Sequence, residues 1–478
     1  MLRKMFWIAA LLAGCGTQGI APTVETPGAS EPLVLTTPTA APTTPAAPAA
    51  PSAPAKAALR GNAVELAAGG RAVLAVAGQD AATGTLSVAG SAAYHTLDVE
   101  RTEATLRARE RQVASLKPKR RYGLRQAASV EIGEANPFWV LASSSAGDRD
   151  VKVTAHTAYV GDRCVVVVDK QVGSALDARA VEMGKAFDAK IYPTDARLFG
   201  APVADGRDPK VTILLSPEVD DHGRGSTLGY FTVLDLFSPV DYPDEPALAH
   251  SNSRLMLYVS SAVALHGGPE DYMGTLAHEF QHLINATHKA FGQAKALQED
   301  VWLNEGLSMY AMQANGFGLG SNARVITDHV ETYLANPGAW SLTNWDLDPH
   351  GSAYGAVYLF VTYLAERVGE DVLKDLVSSA EVGQTNLNAR LAAKGLTFDG
   401  LFRDWVQALL ANDYKSIDLK SNGLAGVAVR ALDLPGATNF KVLPRSANYL
   451  MLRSTEGGRY DLGLTGAKTS SWLVDIGG

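Results

Sequence analysis

Residues 274–285 read Gly-Thr-Leu-Ala-His-Glu-Phe-Gln-His-Leu-Ile-Asn, with histidines at 278 and 282 and a glutamate at 279. On an α-helix, residues four positions apart lie on one face, so His278 and His282 can present two imidazole nitrogens to one metal ion. Glu279 then projects beside the metal, within reach of its water molecule. Chance produces this pattern in roughly one chain of this length in a hundred, so the stretch needs a third ligand.

A second stretch supplies that ligand. Residues 302–311 read Trp-Leu-Asn-Glu-Gly-Leu-Ser-Met-Tyr-Ala and place Glu305 near the start of a second helical segment, 23 residues after His282. This separation suits two helices joined by a loop. A catalytic zinc ion takes three protein ligands and keeps one position open. We therefore predict one zinc ion held by His278, His282 and Glu305.

The two stretches resemble the gluzincin metallopeptidases, in which H-E-x-x-H is completed by a Glu from a downstream N-E-G or N-E-x-x motif. They are more similar to the hyicolysin-like (M30) peptidases, because Ser-Ala-Tyr-Gly-Ala-Val-Tyr-Leu-Phe follows at 352–360. This resemblance covers about residues 160–415. It implies a zincin-like domain with a small mixed sheet, an active-site helix and a helical C-terminal subdomain.

The resemblance also implies a reaction, the hydrolysis of peptide bonds in a protein or peptide substrate by a water molecule that zinc activates. Glu279 would act as the general base and pass the proton to the leaving amine. In aminopeptidase-type gluzincins, a Tyr before Gly-Ala stabilises the oxyanion, which makes Tyr354 the predicted donor, with a core tyrosine as the alternative and His350 in reserve. No Gly-x-Met-x-Asn motif precedes His278, so an endopeptidase is predicted.

One position departs from the thermolysin-like members, which carry an Asp four residues after the ligand Glu to orient the first zinc His. Here that position is Met309. Ser308, or a residue that the sequence does not identify, must therefore hold His278 in its tautomer.

Acidic residues upstream offer the oxygen ligands that calcium prefers. They stand at 205 and 208, and at 220 and 221, but their spacing differs from that of an EF-hand loop. Calcium therefore stays an alternative second cofactor.

The pattern around the motifs predicts an α+β fold. Apolar runs at 164–169, 211–215, 229–233 and 255–259 predict strands, 174–190 predicts a helix, and helical signals continue to about 415. The strand at 254–260 is predicted to be the sheet edge that binds an extended substrate. We assign residues 158–415 to the peptidase domain.

Short alternating runs on either side predict small β domains at 58–157 and 416–478. Within the first of these, residues 102–117 predict an exposed amphipathic helix with arginines at 107, 109 and 111. The basic run Lys-Pro-Lys-Arg-Arg at 117–121 has two interpretations, a processing site behind an inhibitory prosegment or a solvated turn, and the turn is favoured because charge runs are usually solvated.

The first residues read as a targeting segment. Residues 1–14 combine a basic start with an apolar run too short to span a bilayer, and they end in Leu-Ala-Gly before Cys15, which resembles a bacterial lipobox. We predict a lipoprotein signal peptide, lipidation of Cys15 and tethering in the cell envelope. The Pro/Ala/Thr-rich residues 15–57 are predicted to be an extended linker.

Composition narrows the function classes further. The 478 residues include 42 Lys and Arg against 50 Asp and Glu, a formal net charge of −8, which gives no general nucleic-acid-binding surface. With only two cysteines, no internal disulfide is expected once Cys15 is modified. The alternative to an enzyme is a non-catalytic, surface-anchored scaffold for binding or adhesion, but the chain retains all three ligands and the base.

Overall fold

The computed structural model describes most of the chain from residue 130 onward and separate segments before it. The described residues are 34–35, 58–60, 63–66, 71–78, 99–113, 116, 130–142, 148–203, 210–220, 227–293, 297–345, 353–434, 436, 438, 443–455, 458–463 and 469–474. Cys15, the predicted signal peptide, most of the predicted linker, the basic run at 117–121, residues 205–208, Asp221 and His350 lie outside them.

Fourteen strands occur within the described residues. They are β1 (Val34–Leu35), β2 (Ala58–Arg60), β3 (Ala63–Leu66), β4 (Arg71–Gly78), β5 (Ala135–Ala142), β6 (Arg149–Val160), β7 (Cys164–Asp169), β8 (Val211–Ser216), β9 (Gly229–Tyr230), β10 (Met256–Ser260), β11 (Arg430–Asp433), β12 (Ala447–Arg453), β13 (Gly458–Gly463) and β14 (Thr469–Val474).

Eleven α-helices occur in the same part of the chain, most of them after residue 260. They are α1 (Val99–Val113), α2 (Asp177–Ala186), α3 (Tyr192–Phe199), α4 (Ser261–His266), α5 (Pro269–Phe291), α6 (Val301–Ala314), α7 (Arg324–Ala335), α8 (Ala353–Val368), α9 (Asp371–Ser378), α10 (Gly383–Ala392) and α11 (Phe398–Ala411). None of the described helices is both long enough and apolar enough to cross a bilayer.

The largest sheet has six strands in the order β5-β6-β7-β8-β10-β9. Its centre, β7, β8 and β10, is parallel, and the outer strands pair antiparallel. Every residue of these three central strands is buried, which explains their continuous apolar runs in the sequence. Helix α5 packs against β10. The predicted α+β class, with a mixed sheet before a helical region, is confirmed.

The predicted domain boundary at 157/158 lies inside this sheet. The sequence pattern predicts that β5 and β6 belong to a separate N-terminal domain, yet the second half of β6, residues 155–160, pairs with β7. The structure corrects that assignment. Alternation of apolar and polar residues shows that a strand exists and which face is buried, but not which strand it pairs with.

The other predicted β regions are not separate from each other either. Strand β4 pairs with both β12 and β14, and β3 pairs with β13, so residues before and after the region 158–415 share two four-stranded sheets. The sequence analysis assigned them to independent domains at 58–157 and 416–478. Pairing of strands so far apart in the chain leaves no local signal, which is the reason for this difference.

Strand β10 is not the edge that the sequence analysis predicted, because β9 pairs antiparallel with its outer side. Of the predicted strand at 229–233, only Gly229 and Tyr230 pair, and a 3₁₀ turn over Val233–Leu236 follows. A Cβ atom on Gly229 would lie 2.6 Å from Thr275 Cγ2 and 2.7 Å from the carbonyl oxygen of Tyr258. Glycine therefore lets the edge strand approach α5 one turn from Glu279.

The helical region packs around α6 and α8. A Cβ atom on Gly306 would lie 2.6 Å from Val361 Cγ2, so the glycine of the N-E-G motif is required by the close approach of α8. Aromatic rings extend this core, since Trp302 stacks on Phe398 with ring centroids 5.8 Å apart. These contacts position the helix that carries Glu305.

Candidate metal centre

Helix α5 carries three of the predicted site residues. Its first turn is capped by Asp271, whose carboxylate accepts a hydrogen bond of 2.9 Å from the backbone N–H of Gly268. One turn of helix separates His278 from His282, and their Nε2 atoms lie 3.1 Å apart. The two rings meet edge to face, with centroids 4.7 Å apart. Both imidazoles therefore direct one nitrogen to the same point.

Helix α6 brings the third residue to that point. The Oε2 atom of Glu305 lies 3.3 Å from His278 Nε2 and 3.5 Å from His282 Nε2. A hydrogen bond of 2.7 Å from Asn285 Nδ2 to Asn304 Oδ1 joins the two helices next to the site. The structure thus brings together the three residues that the sequence analysis selected as ligands.

The residues fit a zinc ion. A tetrahedral ion with bonds of about 2.0–2.1 Å needs ligand atoms roughly 3.3–3.4 Å apart, and the three measured separations are 3.1, 3.3 and 3.5 Å. Among the described residues, none donates a hydrogen bond to the buried Glu305 Oε2, a costly state for a carboxylate oxygen that a cation would relieve. Two imidazoles and one carboxylate are also the donors of many catalytic zinc sites.

Ser308 contacts the second histidine. Its Oγ lies 3.0 Å from His282 Nδ1 and 2.5 Å from Gln281 Oε1. If the hydroxyl donates to the amide oxygen, its lone pair accepts the Nδ1–H of His282 and leaves Nε2 free to bind metal. The sequence leaves the partner of His278 open between Ser308 and a residue that it does not identify. The structure places Ser308 against His282 instead, because Ser308 lies one turn beyond Glu305 on the α6 face that meets His282.

The carboxyl of Glu279 lies beside the cluster in a different environment from Glu305. Burial raises the pKa of Glu279 to about 7, although His282 and a hydrogen bond from the Phe231 backbone lower it. Burial also opposes ionisation of Glu305, but His282, His278 and the Arg107 guanidinium hold its pKa well below the usual range. One carboxylate is thus suited to bind a cation, and the other to exchange a proton near neutral pH.

Tyr354, the predicted oxyanion donor, lies in the first turn of α8. Its ring packs 5.1 Å from the ring of His329 and 4.9 Å from that of Trp345. Burial and the nearby His278 lower the pKa of His329 to about 4, so this imidazole is neutral and close to the first ligand. Sequence analysis missed His329 because no motif surrounds it in α7.

Arg107 is the second residue that sequence analysis missed. Its Nη2 donates a hydrogen bond of 2.9 Å to Glu305 Oε1, from a helix predicted to belong to another domain. Beside this contact lies a cavity that is lined among others by Glu279, Phe231 and Val113. The metal centre thus opens into a cavity that is partly apolar and bounded on one side by α1.

Comparison with known proteins identifies one sequence relative. The chain is 29% identical over 230 residues to the neutral metalloprotease ShpI of Staphylococcus hyicus, which covers 46% of this chain and 50% of that protein. The chain thus spans about half the length of the curated relative that it matches. No protein-family profile matches the chain. The relative and the His-His-Glu cluster confirm the predicted resemblance to gluzincin metallopeptidases.

Solved structures give weaker matches. Yeast LTA4 hydrolase in complex with Bestatin aligns with a TM-score of 0.31 and 13% identity, covering 60% of this chain and 40% of that chain. An M1 zinc metallopeptidase from Deinococcus radiodurans aligns with a TM-score of 0.31 and 12% identity, covering 57% and 61%. At TM-scores this low, neither likeness supports a conclusion about this chain.

Proposed function

We propose that this chain is a zinc-dependent endopeptidase that is exported and anchored in the cell envelope through a lipid on Cys15. One observation carries the catalytic part, namely the separations of 3.1, 3.3 and 3.5 Å between the ligand atoms of His278, His282 and Glu305. The sequence relative, a neutral metalloprotease, supports the same activity.

Zinc and the side chains of the protein have different roles in the proposed reaction. Zinc, when bound, lowers the pKa of water and polarises a carbonyl group. Glu279 takes the proton of the attacking water and delivers it to the nitrogen of the leaving amine, so the carboxylate is regenerated in each turnover. Its burial beside the cluster keeps the carboxyl able to hold that proton near neutral pH. The edge of β9 is the proposed binding site for an extended peptide.

We expect metal removal to abolish hydrolysis. Treatment with 1,10-phenanthroline should stop cleavage of a casein-derived peptide blocked at both ends, and one equivalent of zinc should restore it. Because both termini of the peptide are blocked, the assay detects only cleavage of internal peptide bonds. Chromatography and mass spectrometry of the products measure the result. Full activity of protein shown to be free of metal would contradict the proposed mechanism, and binding without cleavage would favour the scaffold alternative.

We expect Tyr354→Phe to lower kcat and kcat/KM together by about 10²-fold, because a hydroxyl that bonds only to the oxyanion does not contribute to substrate binding. Zinc content should not change. Tyr363→Phe, on the same helix, is the control and should be as active as the parent. Full activity of Tyr354→Phe combined with a crippled His350→Ala variant would assign the role to His350.

We expect Cys15→Ser to abolish membrane anchoring. The parent should partition into the detergent phase, whereas the variant should accumulate as an uncleaved or mislocalised precursor, because no other thiol lies at the predicted cleavage site. Fractionation and mass spectrometry of the N-terminal peptide measure this. An unmodified Cys15 in the mature protein would contradict the lipid anchor.

A further inference from the structure

Helix α1 contacts both walls of the cleft that contains the metal centre. On the side of the cleft formed by α6, Arg107 donates a hydrogen bond of 2.9 Å to Glu305 Oε1. The side chain of Arg107 is 18% exposed and that of Glu305 is 2% exposed. On the side formed by the six-stranded sheet, Arg109 donates a hydrogen bond of 2.6 Å to Asp150 Oδ1. Asp150 lies in β6, and Glu305 in α6. Two arginines of α1 therefore connect β6 with α6, which are far apart in the sequence.

Other side chains of α1 also contact both sides of the cleft. Thr105 donates a hydrogen bond of 2.7 Å to Asp148 beside β6, and Glu110 accepts one of 3.2 Å from Gln298, which precedes α6. Leu106 is buried in the apolar cluster on the sheet side, whereas Val113 is buried in the main core. Both polar and apolar side chains thus hold the described part of α1 across the cleft.

The same helix borders the space that a substrate needs. Leu106, Arg107, Glu110 and Val113 line the cavity together with the catalytic Glu279 and other site residues. Phe231 and Val233, which follow the edge strand β9, line it too. A peptide extended along β9 would therefore enter a space whose opposite side is formed by α1.

We propose that α1 covers the substrate cleft, and that it must move away before a peptide can bind at the metal centre. This inference rests on the proposed peptidase function. Arg107 engages Oε1 of Glu305 and leaves Oε2 directed at the two histidines. The helix therefore restricts access to the centre without displacing a zinc ion from it.

The contacts of α1 are suited to release. Only two apolar side chains of its described part, Leu106 and Val113, are buried, and the rest of the attachment is polar. The pair between Arg109 and Asp150 is partly exposed, with side chains 25% and 21% accessible, so it contributes little to stability. Release of α1 would withdraw these two side chains from the apolar clusters and break the ion pairs of Arg107 and Arg109.

The test compares two sets of arginine substitutions on the same helix. Arg107→Ala with Arg109→Ala removes the contacts to both walls, whereas Arg111→Ala removes an exposed arginine from the helix and is the control. Each is made in the zinc-loaded full-length chain carrying Glu279→Gln, so that a bound peptide is not cleaved. Fluorescence anisotropy with a labelled, end-blocked casein peptide then measures binding directly.

We expect the double variant to bind the peptide at least ten-fold more tightly than the Glu279→Gln parent, and the Arg111→Ala control to match the parent. With Glu279 restored, kcat/KM should rise by a similar factor. Unchanged or weaker peptide binding, with one equivalent of zinc and an unchanged Tm, would overturn the inference and assign Arg107 a supporting role for Glu305. Should the double variant fold poorly, Arg109→Ala alone, which touches no proposed ligand, is expected to show the same direction.

Failure of the inference and failure of the proposed function give different results. Tighter binding without hydrolysis in the Glu279 background would retain α1 as the cover of the cleft and refute the peptidase activity. Hydrolysis with no change in either binding or kcat/KM would retain the peptidase and refute the role of α1.

Discussion

Glu279→Gln is expected to lower kcat/KM for peptide hydrolysis by at least ~10²-fold, as the loss of a general base implies. Gln has the shape of Glu but cannot accept a proton from water. In the structure, the Glu279 carboxyl is buried, 7% exposed, and burial raises its pKa to about 7. Because Glu279 is not among the three clustered donors of the metal centre, zinc content should stay at one equivalent.

A neighbouring acid on the same helix provides the control for this prediction. Glu270 lies in the first turn of α5, two turns before His278, and accepts a hydrogen bond from Asn322. Glu270→Gln should retain full activity. Hydrolysis rates and metal analysis are measured on the same preparations. Undiminished turnover by Glu279→Gln, with bound zinc, would refute the role of Glu279 as base.

His282→Ala is expected to reduce bound zinc from one equivalent to a small fraction and to remove hydrolysis with it. Three protein ligands are the usual number at a catalytic zinc site, and the variant would leave two. It also leaves Ser308 without the ring that contacts its Oγ at 3.0 Å. Metal analysis after extensive dialysis measures the effect, and the temperature of unfolding with and without added zinc gives a second readout.

An exposed histidine outside the site provides the comparison. His266 is exposed in the last turn of α4, and His266→Ala should bind one equivalent of zinc. Glu305→Gln should lose zinc as His282→Ala does, because its neutral amide replaces a carboxylate. The surrounding side chains keep the pKa of that carboxyl low, so it is charged in the parent. Full zinc occupancy in His282→Ala would show that the ion is held elsewhere.

The three clustered residues could be identified from the sequence alone because the patterns that mark them lie within short segments of the chain. Helical periodicity places His278 and His282 on one face, and the N-E-G motif marks Glu305 as a helical residue a short loop away. The parallel strands were also recognisable, since a strand buried on both faces reads as an unbroken apolar run. These features depend on residues close together in the chain.

Strand pairing was beyond the reach of the sequence. Residues 447–453 pair with residues 71–77, although the six-stranded sheet and the helical region lie between them in the chain, and β6 joins the six-stranded sheet. The edge strand proved to be the two-residue β9 and not β10, because the order of strands in a sheet need not follow their order in the chain. Domain boundaries drawn from composition and alternation therefore differed from the structure.

The surroundings of the metal centre likewise depended on tertiary packing. Ser308 meets His282 instead of His278, and His329 lies near the site with no motif to mark it. Arg107 lies 198 residues before Glu305, yet hydrogen-bonds to it. Local sequence determined which side chains can bind a metal and accept a proton. Only the tertiary structure decided what orients and covers them, because those contacts join segments far apart in the chain.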